Sequence, residues 1–89
     1  MLEKDILIIN KLGLHARAAA KLVGVTSRYS SEIKLAKEGR EVDAKSIMSV
    51  MMLAASKGTQ LKVKTSGSDE EEAMNAIEAL INNRFDEDE

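Results

Sequence analysis

Cysteine, proline and tryptophan are absent from these 89 residues, and tyrosine and phenylalanine occur once each. Without cysteine there is no disulfide, no thiolate metal ligand and no thiol nucleophile, and nothing speaks for an oxidising compartment, so a cytoplasmic address is expected. Two aromatic side chains are too few to stack along a nucleic acid strand. Neither sign of charge dominates: 13 basic residues stand against 15 acidic ones, a net charge of -2, which argues against general nucleic-acid binding, since that needs a basic face to neutralise phosphates. The opening Met1-Leu-Glu-Lys-Asp5 lacks the basic segment and apolar stretch of a signal peptide. No apolar run approaches the roughly 20 residues that span a bilayer, so no membrane insertion is expected.

What is present fits one small domain over 1–89, since a chain of this length buries only about 60 to 65 percent of its unfolded surface. Ile6-Leu7-Ile8-Ile9 is a short β-branched run ending at the turn-like Asn10-Lys-Leu-Gly13, which predicts a largely buried strand. From Ala16 to about Ser27, Ala19, Leu22, Val23 and Thr26 recur at helical spacing, with Gly24 a mild cost inside the helix. Ile33 and Leu35 alternate with charged neighbours as a half-buried strand, Lys37-Glu-Gly-Arg40 turns the chain, and Arg40 to Asp43 returns as a hairpin.

Ser46 is placed to cap a second helix that runs to about Ser56-Lys-Gly58, where glycine suits a stop. Leu61, Val63 and Thr65 alternate with lysines as a fourth strand. Ser68-Asp-Glu-Glu71 reads as a capping box for a third helix with an apolar stripe of Met74, Ile77, Leu80, Ile81 and Phe85. The acidic end, 86–89, is expected to fray. The order βαββαβα predicts an α+β fold in two layers, an antiparallel sheet with helices on one face, and leaves the strand order open.

The chemistry centres on Gly13-Leu-His-Ala-Arg17, which sets the single histidine at the start of the first helix. Unpaired N–H groups and the positive end of the macrodipole make that place an anion site. A neutral imidazole is a competent nucleophile near pH 7, and a phosphoryl group on it would meet helix N–H groups and Arg17. A lone histidine at a helix start is most often an ordinary surface residue, and His-x-Arg alone is a weak signal. No second histidine and no evident carboxylate pair accompanies it, so neither a metal site, a cofactor nor a hydrolytic triad is expected. The second helix adds a separate clue. Val50, Leu53 and Ala54 cover one arc and Ile47, Met48 and Met51 an adjacent one, so its apolar surface spans about 220° where a core-facing helix needs roughly 100°. Burial on two sides would account for that; so would an exposed Met-rich patch for docking several protein partners.

Gly13-Leu-His-Ala-Arg17, Lys45-Ser-Ile-Met-Ser-Val-Met-Met-Leu-Ala54 and Lys57-Gly-Thr59 together resemble HPr, the histidine-containing phosphocarrier family of the bacterial phosphoenolpyruvate-dependent phosphotransferase system. The resemblance covers nearly the whole chain. It implies an open-faced β-sandwich with strand order 1-4-2-3 and three helices on one face. It implies a monomer whose His15 accepts phosphoryl from phospho-enzyme I through Nδ1 and passes it to an enzyme IIA domain, without being an autonomous enzyme. Arg17 would stabilise the phosphate, and Ala20, Ile47, Met48 and Met51 would line the docking face. Ser46 matches the serine that HPr kinase/phosphorylase modifies in some members, although an N-cap serine has a structural role of its own.

One departure stands out. Ala18 replaces the proline usual after His-x-Arg, which restores one N–H and keeps high helix propensity. A carrier of the nitrogen-related regulatory branch is therefore an alternative to one feeding sugar uptake. A non-phosphorylated regulatory module on the same scaffold is a second alternative, opposed by the presence of His15.

Overall fold

Alternating apolar and charged residues build one four-stranded antiparallel sheet from β1 (Leu2–Leu7), β2 (Glu32–Lys37), β3 (Arg40–Asp43) and β4 (Gln60–Ser66). The computed structural model describes residues 1–88. The strand order is β1-β4-β2-β3, with Ile6 opposite Leu61 and both Ile33 and Leu35 opposite β4 at Thr65 and Val63. The sheet order is the one the resemblance implies.

One sheet face is covered by α1 (Ala16–Thr26), α2 (Ile47–Met52) and α3 (Glu70–Asn82). Between them, Ile6, Ile33, Leu35, Leu61 and Val63 meet Leu22, Val50, Ile77 and Ile81, all but excluded from solvent. The other face stays open and charged, laced by pairs such as Lys64 with Glu41 at 2.7 Å and Lys62 with Glu3 at 3.2 Å. The Lys64 partner holds the Glu41 carboxyl below its ordinary value.

The open face corrects the expectation of a buried first strand. Ile6 and Ile8 are buried, Leu7 between them is half exposed, and β1 begins earlier, at Leu2. A run of four apolar residues looks the same whether one face or two are covered. α2 is shorter than its spacing predicts. It stops at Met52, and Ala54 takes φ +53° and faces solvent. Lys37 on β2 ends it by donating Nζ to the carbonyls of Leu53 (3.2 Å) and Ala54 (3.1 Å), a cation at a helix C-terminus.

The predicted capping box is displaced by one residue. Asp69, the N-cap of α3, turns its carboxylate to Ser30 and Ser31, accepting both backbone N–H groups at 2.9 Å and the Ser31 hydroxyl. The Ser31 hydroxyl, then the Ser30 N–H, draw the Asp69 carboxyl down to about 2. Glu70 takes over the reach-back and accepts from the Gly67 N–H at 3.1 Å. Phe85 is not on α3 at all: it is fully buried in a following turn, η1 (Arg84–Asp86). The expectation of a frayed end is corrected at Asp86, which closes that turn, and at Glu87, which is hydrogen-bonded; Glu89 lies outside the described residues.

Candidate functional site

The approach to α1 is fixed before His15 is reached. Gly13 has φ +66°, and a Cβ there would lie 2.5 Å from the Ala55 carbonyl oxygen and 2.7 Å from Ser56 Cα, so the turn admits only glycine. The Gly13 N–H donates to the Asn10 carbonyl at 3.2 Å and the Leu14 N–H to the Ala55 carbonyl at 2.8 Å, which ties this turn to the loop after α2. Asn10 is fully buried, and its Nδ2 donates to the Gly13 carbonyl at 2.9 Å.

His15 is the N-cap of α1, with an extended backbone and no side-chain capping bond. The first turn of α1 contains no acidic residue, whereas that of α3 carries Glu70, Glu71 and Glu72. The positive end of α3 is thereby compensated from within its own first turn, and that of α1 is not. Arg17, in the same turn, is exposed and forms no hydrogen bond or ion pair among the described residues. Beside it opens a shallow cavity of about 520 Å³ lined by Lys11, Leu12, Arg17, Lys21, Asp86, Glu87 and Asp88. His15 does not line this cavity.

Two site residues were not singled out from the sequence, Asn10 and Glu87. Glu87 Oε2 lies 2.5 Å from His15 Nε2, and its other oxygen accepts from Asn10 Nδ2 at 3.0 Å. The Asn10 amide, with His15 and Lys21 adding and burial opposing, holds the Glu87 carboxyl below its ordinary value. The turn that delivers Glu87 is strained: Arg84, Phe85 and Asp86 have φ of +56°, +53° and +62°. Each left-handed residue costs about 1–2 kcal/mol. Full burial of the Phe85 side chain offsets about 1.5–3 kcal/mol of that. Lys21 adds a hydrogen bond to the Phe85 carbonyl at 2.8 Å, and Asn83 one to Asp86 at 2.7 Å.

Ser46 caps α2 as its sequence position predicts, accepting from the Ser49 N–H at 3.3 Å. Of the two readings of the wide apolar arc, the exposed patch is the one the structure shows. Val50 and Leu53 enter the core, while Ile47 (42% exposed), Met48 (69%) and Met51 (38%) face solvent, joined by Met52 and Leu12. Ala20 is also exposed.

The family model described as PTS HPr component phosphorylation site matches residues 2–83. Phosphocarrier protein HPr of Pseudomonas aeruginosa is 60% identical over 86 residues, 96% of each chain, and that of Cupriavidus necator 57% identical over the full length of both. The chain belongs to the HPr family. Its fold agrees with the crystal structure of HPr-C-His from Thermoanaerobacter tengcongensis at a TM-score of 0.97, 46% identity and full coverage of both chains. HPr proteins are the phosphocarriers of the phosphotransferase system, and this chain shares that role.

The HPr framework is retained where this sequence departs from the usual motif. Ala18, in place of proline, is fully buried in an unbroken α1. Among the described residues no helix is long and apolar enough to cross a membrane, and no cluster of His, Cys, Asp and Glu could hold a metal ion.

Proposed function

We propose that this HPr-family chain carries its phosphoryl group on His15, accepting it through Nδ1 from phospho-enzyme I and passing it to an enzyme IIA domain. The observation that carries this reading is the placement of the single histidine at the uncapped N-terminus of α1, whose first turn has no acidic residue and includes the exposed Arg17, without a hydrogen bond or ion pair among the described residues. The Nδ1 lone pair forms the new N–P bond as the bond from phosphorus to the donor protein breaks and its electron pair leaves with the donor. The transferred group then sits where helix N–H groups and the Arg17 guanidinium form charge-assisted hydrogen bonds with its oxygens.

Ile47, Met48, Met51 and Ala20 form the docking face, their exposure supporting the role and their thioethers suiting more than one partner. Phosphorylation of Ser46 would set a dianion beside Ile47 and Met48, where docking requires loss of water, and this is its regulatory use. The chain works in the cytoplasm as a single domain and a monomer, although a dimer is named for one Thermoanaerobacter tengcongensis HPr structure, 47% identical at a TM-score of 0.79.

Incubation with labelled phosphoenolpyruvate and enzyme I tests the assignment. Acid-labile, alkali-stable label on the wild-type chain, lost in a folded His15→Ala variant, is the expected result. Undiminished labelling of that variant would sink the assignment to His15.

A further inference from the structure

Phosphoryl transfer to an imidazole must choose between two nitrogens, and the choice follows from where the ring proton sits. We propose that Glu87 is a positioning residue for His15: it holds the proton on Nε2, so that Nδ1 presents the lone pair, and it balances the positive charge the ring gains on phosphorylation. The inference rests on the assignment of His15 as phosphoryl acceptor.

For the neutral ring the geometry admits one arrangement of protons. A carboxylate only accepts, so the 2.5 Å contact between Glu87 Oε2 and Nε2 requires the hydrogen on Nε2. Asn10 orients the carboxylate in turn. Its two Nδ2 hydrogens are both committed, one to the Gly13 carbonyl at 2.9 Å and one to Glu87 Oε1 at 3.0 Å. A flipped amide would turn its oxygen on two acceptors. To aim both N–H groups, the buried Asn10 leaves Oδ1 without a partner among the described residues, the kind of orphan group that marks a functional constraint.

Chemically, Nδ1 gives its lone pair to phosphorus, the bond from phosphorus to the donor protein breaks, and the donor keeps that electron pair. Nε2 keeps its hydrogen throughout, so the ring becomes a phosphorylated imidazolium whose added charge faces Glu87. Return of the group to an acceptor reverses these changes with no proton lost. Glu87 lies beyond residues 2–83, the part matched by the family model.

Because His15 is the only histidine, its ring nitrogens can be read without interference in a uniformly ¹⁵N-labelled chain by long-range ¹H–¹⁵N correlation. The wild type, Glu87→Gln and Glu87→Ala are compared above the titration of the ring, alongside initial rates of labelling by phosphoenolpyruvate and enzyme I. A glutamine matches the shape of Glu87 but cannot accept from Asn10 and His15 at once. The wild type is expected as the Nε2–H tautomer. Both variants should populate the Nδ1–H form and be labelled about tenfold more slowly, the effect of losing a hydrogen bond to a charged group. A tautomer mixture unchanged in the variants, or rates within about twofold of wild type, would overturn the proposal. Absence of labelling in the wild type would overturn the carrier assignment instead, and the tautomer populations would still decide the role of Glu87.

Discussion

Replacing glycine by alanine at three positions should change stability in a graded and partly opposite way, because the same methyl group meets three different surroundings. Any such substitution narrows the unfolded ensemble and gains about 0.4–1 kcal/mol when the native backbone accepts it. Gly24 lies in α1 with nothing within 4 Å of the added Cβ, so Gly24→Ala should stabilise by about 0.5–1 kcal/mol. Gly39 also has open space but a φ of +82°, so the left-handed penalty of about 1–2 kcal/mol cancels or slightly exceeds the gain. Gly13 combines a φ of +66° with atoms at 2.5 and 2.7 Å that belong to the backbone of Ala55 and Ser56 and cannot swing aside. An overpacking cost of about 1–3 kcal/mol is added there, so Gly13→Ala should destabilise by about 1–4 kcal/mol net. For a domain of this size that is a fall in Tm of at least about 4 °C. Urea titrations followed by far-ultraviolet circular dichroism measure all three against wild type, provided the slopes agree. Labelling of Gly13→Ala should also slow, since the clash falls beside the 2.8 Å bond from the Leu14 N–H to the Ala55 carbonyl that aims His15. A Gly13→Ala chain as stable as Gly39→Ala within about 0.5 kcal/mol would show that the loop after α2 yields freely, and would refute the account of how α1 is aimed.

Arg17→Ala is expected to leave the urea midpoint within about 0.5 kcal/mol of wild type, because the side chain is exposed, yet to slow phosphoryl transfer about tenfold or more through loss of a charged hydrogen bond to phosphate. Equal transfer rates would remove Arg17 from the site. Asp69, drawn down to about 2 from an ordinary 3.8, contributes stability that is complete above about pH 4 and is lost as pH falls through about 2. Wild type should therefore exceed Asp69→Asn in thermal stability at pH 6 by more than it does at pH 2, and a gap constant with pH would contradict the Ser30–Ser31 contact. Ser46→Asp keeps an N-cap acceptor and adds a negative charge at a helix N-terminus, so Tm should not fall, while enzyme I affinity and His15 labelling should both drop. Titration of enzyme I with unchanged affinity would exclude electrostatic interference with docking, and a large loss of Tm would contradict the helix-end argument.

Local chemistry determined much of this protein. Period-two alternation in Ile33–Leu35 and Leu61–Thr65 is visible because one sheet face is wet, and the turn at Gly39, the Ser46 cap and the helical stripes of α1 and α3 each depend on residues within a few positions of one another. His15 at a helix start and the surplus apolar arc of Ile47, Met48 and Met51 were legible for the same reason, and the resemblance to HPr supplied the strand order that periodicity leaves open. Where the reading of the α2 end and of the α3 cap failed, a residue distant in sequence had captured the group concerned. Lys37, on β2, ends α2 at carbonyls 16 and 17 positions away, and Asp69 leaves its helix for Ser30 and Ser31, 39 and 38 positions away. The site shows the limit most clearly. Asn10 looks like a turn residue and Glu87 like part of a solvated acidic end, and no spacing rule connects positions separated by 77 residues, or Glu87 with His15 across 72. Only the folded chain, with Phe85 buried and its left-handed turn held by Lys21, brings that carboxylate to the imidazole, because a contact that closes so long a loop forms only after the core around it has offset the entropy of closure.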